Sequence, residues 1–121
     1  MFWSHGRAFR LTVDGENLEA FLGREYPEVA RKLRFLRVDA EGADGTILES
    51  LARLIAETRP FIRAEVFKYL NAEQRVQLYD AVACYGYTVH RLKDLHDYRG
   101  PVLQRTDMEA SDTFDIFARH D

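Results

Sequence analysis

The stretch Phe35-Leu36-Arg37-Val38-Asp39-Ala40-Glu41-Gly42 constrains this chain more than any other, because an apolar run stops abruptly at two carboxylates and a glycine. With a helical pattern following at once, it reads as a buried parallel strand that delivers acid groups to a crevice. In open α/β sheets ligands bind just beyond the carboxyl ends of the strands, so Asp39 and Glu41 stand where chemistry is normally done. Gly42 lets the backbone turn sharply and approach a ligand closely.

The flanking pattern supplies the rest of the sheet. Phe9 to Val13 alternates as a short strand, and Asp14 is placed to cap a helix bearing Leu18, Phe21 and Leu22 that breaks near Gly23 or Pro27. A helical turn from Glu28 to Leu33 leads into the Phe35 strand. Thr46 and Glu49 have capping-box spacing ahead of Leu48, Leu51, Leu54 and Ile55, which with Ile47 share one face of a helix that stops before Pro60. Phe61 to Phe67 is a second strand, with Arg63 and Glu65 on one face. Asn71 and Gln74 open a further helix with Val76, Tyr79, Val82 and Ala83 inward and Gly86 as its left-handed stop. Tyr87–Leu92 and Thr113–Arg119 are strands joined by a polar loop through Tyr98, Gly100 and Pro101. The expected fold class is α/β, a mostly parallel sheet with helices on its faces and an antiparallel final strand.

The octet at Phe35, continued through Ala43-Asp44-Gly45-Thr46-Ile47-Leu48-Glu49-Ser50-Leu51 and Arg59-Pro60-Phe61-Ile62-Arg63-Ala64-Glu65-Val66, resembles the FkbM family of S-adenosylmethionine-dependent methyltransferases. Members typically carry a hydrophobic strand ending in Asp-x-Glu-Gly, an amphipathic helix, then Arg-Pro before an apolar strand with a Glu. The resemblance runs from about Thr12 to Ala118 and covers the second half of such a catalytic domain; Thr12-Val13-Asp14 resembles a degraded Thr-Leu-Asp. It implies a partial Rossmann-like, class I methyltransferase-like sheet whose last strand is inserted against the direction of the rest. It also implies S-adenosylmethionine as cofactor, O-methyl transfer to a small or sugar-like hydroxyl, and Asp39, Glu41 and Glu65 as the catalytic acids. The half that would hold the glycine-rich cofactor loop has no counterpart, and the seven glycines never form Gly-x-Gly, so the isolated chain is expected to bind the cofactor poorly. The Phe35 strand would be central in the family's sheet. Here its far edge is left to Phe9–Val13, a second copy or the missing amino-terminal half, and a non-catalytic interaction or dimerisation module on the same fold is the alternative function.

The 121 residues make one domain, and 46% hydrophobic with 31% charged residues is ordinary for a globular chain. No apolar run has the ~20 residues needed to cross a bilayer, and the start lacks a signal-peptide core, so no membrane partner and a cytoplasmic address are expected. A formal net charge of −3 with scattered arginines predicts no nucleic-acid partner. Cys84 is the single cysteine, which excludes an internal disulfide, and it reads as a small core residue of its helix. None of the four histidines has a helical metal-site partner, and no metal site is expected; a hydrolase using divalent ions on Asp39, Glu41 and Glu65 is the lowest-ranked reading.

For Asp39 and Glu41 the structural alternative is capping of the following helix or acceptance of turn amides. For Glu65 it is pairing with Arg63 or Lys68. A third acid at the end of the neighbouring strand would make an acidic crevice, in which carboxylates raise one another's pKa and suit a general base. Tyr79, Tyr85, Tyr87, Phe114 and Phe117 follow the periods of core packing. Asp107, Glu109, Asp112 and Asp115 read as a solvated loop and strand face.

Overall fold

The computed structural model describes residues 2–4, 7–9, 15–94, 96–109 and 112–120. Strands β1 (Phe2–Ser4) and β2 (Arg7–Phe9) pair with each other in a separate antiparallel ribbon, so β2 does not cover the main sheet; the remainder of the expected Phe9–Val13 strand and the Asp14 cap lie outside the described residues. Helix α1 (Leu18–Glu25) is instead capped by Asn17, whose side chain accepts the Ala20 amide at 2.9 Å. It ends at Tyr26 because Pro27 opens α2 (Pro27–Arg31).

The main sheet contains β3 (Phe35–Arg37), β4 (Phe61–Val66), β5 (Thr88–Arg91) and β6 (Phe114–Arg119), in the order β3-β4-β6-β5. β3 and β4 are parallel, while β6 lies between β4 and β5 and runs against both, so β3, β4 and β5 share one direction. The sheet is therefore mixed: inserting the reversed strand in the middle leaves one parallel and two antiparallel ladders in place of the mostly parallel arrangement expected. β3 pairs only with β4 among the described residues, which makes it an edge and not the centre.

Between β3 and β4 the expected single helix is two, α3 (Asp44–Ser50) and α4 (Ala52–Thr58). The Ser50 hydroxyl donates to the Ile47 carbonyl at 2.6 Å, a local bond that competes with the helical ladder, and the chain resets at Leu51. Glu19 of α1 then accepts the Leu54 amide at 2.7 Å, capping α4 from outside. Thr46 and Glu49 form no capping box, because the helix begins earlier, at Asp44, with no side-chain cap. Arg59 takes a left-handed conformation (φ 49°) that stops α4 before Pro60.

Helix α5 (Ala72–Ala83) begins with the expected reciprocal bonds, the Gln74 amide to Asn71 Oδ1 at 2.8 Å and the Asn71 amide to Gln74 Oε1 at 2.9 Å. Gly86 has the positive φ expected of its stop. The buried face is rotated from the expected one: it carries Arg75, Leu78, Ala81 and Val82, while Val76, Tyr79 and Ala83 are half-buried. The cause is Arg75, which an apolar pattern skips. Its guanidinium is buried yet donates to the carbonyls of Phe67, Lys68, Leu70 and Asp112, and so pins the loop after β4 to the start of β6.

Ile62, Ala64 and Val66 of β4 alternate with Phe61, Arg63 and Glu65, and the first set closes the core with Leu48, Leu51, Ile55, Leu78, Val82 and Ile116. Each fully buried aliphatic side chain contributes about 1.5–3 kcal/mol, so this face fixes the register of the strands. The other face of β4 is thereby turned away from the core, carrying Arg63 and Glu65 with it.

Candidate active site

The carboxyl ends of β3 and β4 form the rim on which the acids stand. After β3 the chain turns through Glu41 (φ 46°) and Gly42 (φ 108°), with the Ala43 amide donating to the Ala40 carbonyl at 3.2 Å. The sharp turn expected at Gly42 is present, and φ 108° explains the glycine. Glu41 is the less common case, a residue with a side chain held in the left-handed region. Asp39 and Glu41 are exposed, and neither caps α3. Asp39 lies 3.8 Å from Arg37, an exposed pair worth about 0–1 kcal/mol.

Asp44, which sequence reasoning passed over, does the structural work expected of its neighbours. It is wholly buried, with one carboxylate oxygen accepting the Ala40 amide and the other the Glu65 amide, both at 3.0 Å. One side chain thus ties the turn after β3 to the end of β4. The signal available was a carboxylate two residues beyond a glycine turn, at the first turn of a helix it does not cap.

Glu65 is half-buried, directly opposite Asp115 of β6. Arg63 does not pair with Glu65. It binds Asp115, with Nε at 3.0 Å and Nη2 at 2.6 Å, and its Nη1 donates to the Tyr98 hydroxyl at 2.7 Å. Lys68 stacks over the Tyr69 ring. Glu65 consequently makes no ion pair among the described residues. Its carboxyl is held above the ordinary carboxylate range, first by burial and then by the charges of Asp39, Asp115, Asp44 and Glu41. Asp39 and Glu41 thus act on Glu65 through their charges, and so do two acids outside the expected three, Asp115 and Asp44. Asp115, which its segment places on a solvated strand face, is half-buried because β6 is inserted next to β4.

A cleft of about 590 Å³ opens beside this rim, lined by Arg63, Arg91, Lys93, Thr113, Phe114 and Asp115 among others. Asp39, Glu41 and Glu65 do not line it; Asp115 and Arg63 are its link to the acid group. The Arg91 guanidinium binds Asp112 at 2.7 Å and lies 4.3 Å from the centre of the Phe114 ring. His90 is buried, with Nδ1 2.9 Å from the Gly100 carbonyl and Nε2 accepting from Arg119 Nε at 3.1 Å, so it braces the loop that walls the cleft. Cys84 is not a core residue: it is exposed at the end of α5. Among the described residues no group of three or more His, Cys, Asp or Glu side chains has a geometry that could hold a metal ion, and no helix is long and apolar enough to cross a membrane.

No protein family, curated protein or solved structure matches this chain.

Proposed function

We propose that the chain is the carboxyl-terminal half of an FkbM-like S-adenosylmethionine-dependent methyltransferase domain acting on a small or sugar-like hydroxyl. The observation that carries this reading is the Glu65 carboxylate at the rim, which makes no ion pair among the described residues and whose proton affinity is raised by burial and by the charges of Asp39 and Glu41, while Arg37, Arg63 and Lys68 are engaged elsewhere. The last strand, β6, lies beside its predecessor β5 and runs against the other three, and this too supports the reading, since the resemblance implies a last strand so placed.

The reading assigns the S-adenosylmethionine site to the half of the domain that holds the glycine-rich loop, which has no counterpart in this sequence. Gly42 serves the turn after β3, and Gly45 is packed against the Leu78 backbone, where a Cβ would lie 3.4 Å from its Cα. The cofactor half has to come from another polypeptide or from a longer chain. Within this half, Glu65 accepts the proton of the acceptor hydroxyl, a role suited to a carboxylate whose proton affinity is raised. Asp39 and Glu41, exposed on the turn, orient that hydroxyl by accepting hydrogen bonds from its neighbours.

Two measurements test the reading. Calorimetric titration of this chain with S-adenosylmethionine should show no low-micromolar binding. A longer polypeptide containing the cofactor half should transfer radiolabelled methyl to hydroxylated acceptors and lose the activity in Glu65→Gln and in Asp39→Asn/Glu41→Gln. Retained transfer in both variants removes the acids from the mechanism.

The β3 edge, unpaired on one side among the described residues, favours a second reading, an interaction module that docks a partner by strand addition. This reading requires association and no response to cofactor.

A further inference from the structure

The cleft beside the acid rim is lined by three cations, Arg63, Arg91 and Lys93, and by two acids, Asp94 and Asp115. Both acids are engaged, Asp115 by Arg63 at 2.6 Å and Asp94 by the His96 and Asp97 amides at 2.7 and 2.9 Å. The cations are not matched in the same way. Among the described residues Arg91 donates through Nη2 alone, to Asp112 at 2.7 Å, and Asp112 is also under the charge of the buried Arg75. The Lys93 ammonium makes no hydrogen bond or ion pair among the described residues. The Thr113 hydroxyl accepts the Lys68 amide at 2.9 Å and keeps its own hydrogen to donate. Donors on three side chains thus line one cleft with no acceptor of this chain opposite them.

We infer that this cleft holds the anionic group, phosphate or carboxylate, of a small hydroxylated ligand, with Lys93, Arg91 and Thr113 as its donors. Its volume of about 590 Å³ is that of a small-molecule site, and it opens beyond the carboxyl end of β5, where α/β sheets take their ligands. The Arg91 guanidinium lies 4.3 Å from the centre of the Phe114 ring, so it is held in place before a ligand arrives. The rim is also polarised. Glu65 of β4 stands opposite Asp115 of β6, and the Leu92 amide, just past β5, donates to the Asp115 carbonyl at 2.9 Å. Two strand spacings, about 10 Å, therefore separate the acids at the β3 and β4 end from the cations at the β5 end. A ligand with an anion on one side of a sugar-sized ring and a hydroxyl on the other meets attraction in one orientation and repulsion in the reverse, and the favoured one turns the hydroxyl toward Glu65. In naming the acceptor as anionic, the inference rests on the methyl-transfer reading; the affinity of the cleft for an anion does not.

The purified chain, titrated with glucose 6-phosphate, glucuronate or glucose at fixed pH and ionic strength and followed by amide NMR shifts, tests the inference without any cofactor. Saturable shifts at Lys93 and Thr113 are expected with the two anionic probes and not with glucose, and the tighter of the two identifies the anion. Lys93→Gln removes one charge-assisted contact and should weaken both anionic probes on the order of tenfold or more. Lys93 is exposed and makes no side-chain bond, so this variant keeps the fold. Lys32→Gln, at an exposed lysine that does not line the cleft, should bind as the wild type does. Shifts that do not saturate, equal binding of glucose, or equal losses in the two lysine variants overturn the inference. Anion binding by a chain whose longer polypeptide transfers no methyl supports the cleft and sinks the methyl-transfer reading. Transfer to neutral acceptors as fast as to anionic ones sinks the anionic acceptor and leaves methyl transfer standing.

Discussion

Asp44 should be a strongly destabilising position to substitute. It is fully buried and accepts two backbone amides at 3.0 Å, from Ala40 and from Glu65. In Asp44→Asn the shape is kept and one oxygen still accepts, but the new NH₂ faces the other amide donor to donor. One bond to a charged acceptor is lost, about 1.5–3 kcal/mol, and the amide left buried without a partner adds to this, for a total near about 3 kcal/mol. With a urea slope of about 1.5 kcal/mol/M for a domain of this size, the unfolding midpoint should fall by about 2 M. The control is Asp39→Asn, whose carboxylate is exposed beside Arg37 and whose loss should cost no more than about 0.5 kcal/mol. Equal midpoints for the two variants would refute the reasoning, since it assigns the tie between β3 and β4 to one of these acids and not the other.

Glu65→Gln should be neutral or stabilising at neutral pH. Its carboxyl is held above the ordinary 4.5, so the folded state favours the protonated form, a contribution complete below 4.5 and lost as pH rises through the raised value; urea midpoints of variant and wild type should converge in acid and separate in favour of the variant toward neutrality. Gly100→Ala puts a Cβ 2.0 Å from the Arg91 carbonyl oxygen, a backbone atom that cannot step aside, and should cost about 1–3 kcal/mol with faster amide exchange at Leu103, which donates to Val89 at 2.8 Å. Asn71→Ala removes the reciprocal cap of α5 and should cost about 1 kcal/mol, read as a fall of about 4 °C in the thermal midpoint.

What was legible in the sequence was what repeats. The alternation of Ile62, Ala64 and Val66 with Arg63 and Glu65 gave both the strand and the face that carries its charges. The Asn71/Gln74 cap and the Gly86 stop were local chemistry at fixed offsets, and both are present. Three features depended on side-chain contacts and topology that no periodic pattern records. Ser50 bonding back to Ile47 and Glu19 reaching Leu54 split one periodic helix in two. Arg75 entered the core because four carbonyls from two loops gather around it, which no apolar pattern records. Asp115 joined the acid group only because β6 crosses to lie between β4 and β5, a matter of topology and not of its own segment.

That crossing also separates two acids that stand side by side. Asp115 has Arg63 at 2.6 Å and serves as a brace, holding Tyr98 and the cleft wall through the same guanidinium. Glu65, opposite it, is half-buried, feels the charges of four acids and makes no ion pair among the described residues. Had packing been the only requirement, glutamine at 65 would fill the same space without repulsion, and the backbone amide that Asp44 accepts would be unaffected. Burial and the neighbouring acids disfavour the charged Glu65 carboxylate, which is what the proposed base would require. The Glu65→Gln comparison therefore bears on function as well as stability: a variant more stable at neutral pH and inactive in the longer polypeptide supports the proposed base, and one less stable assigns Glu65 to the architecture.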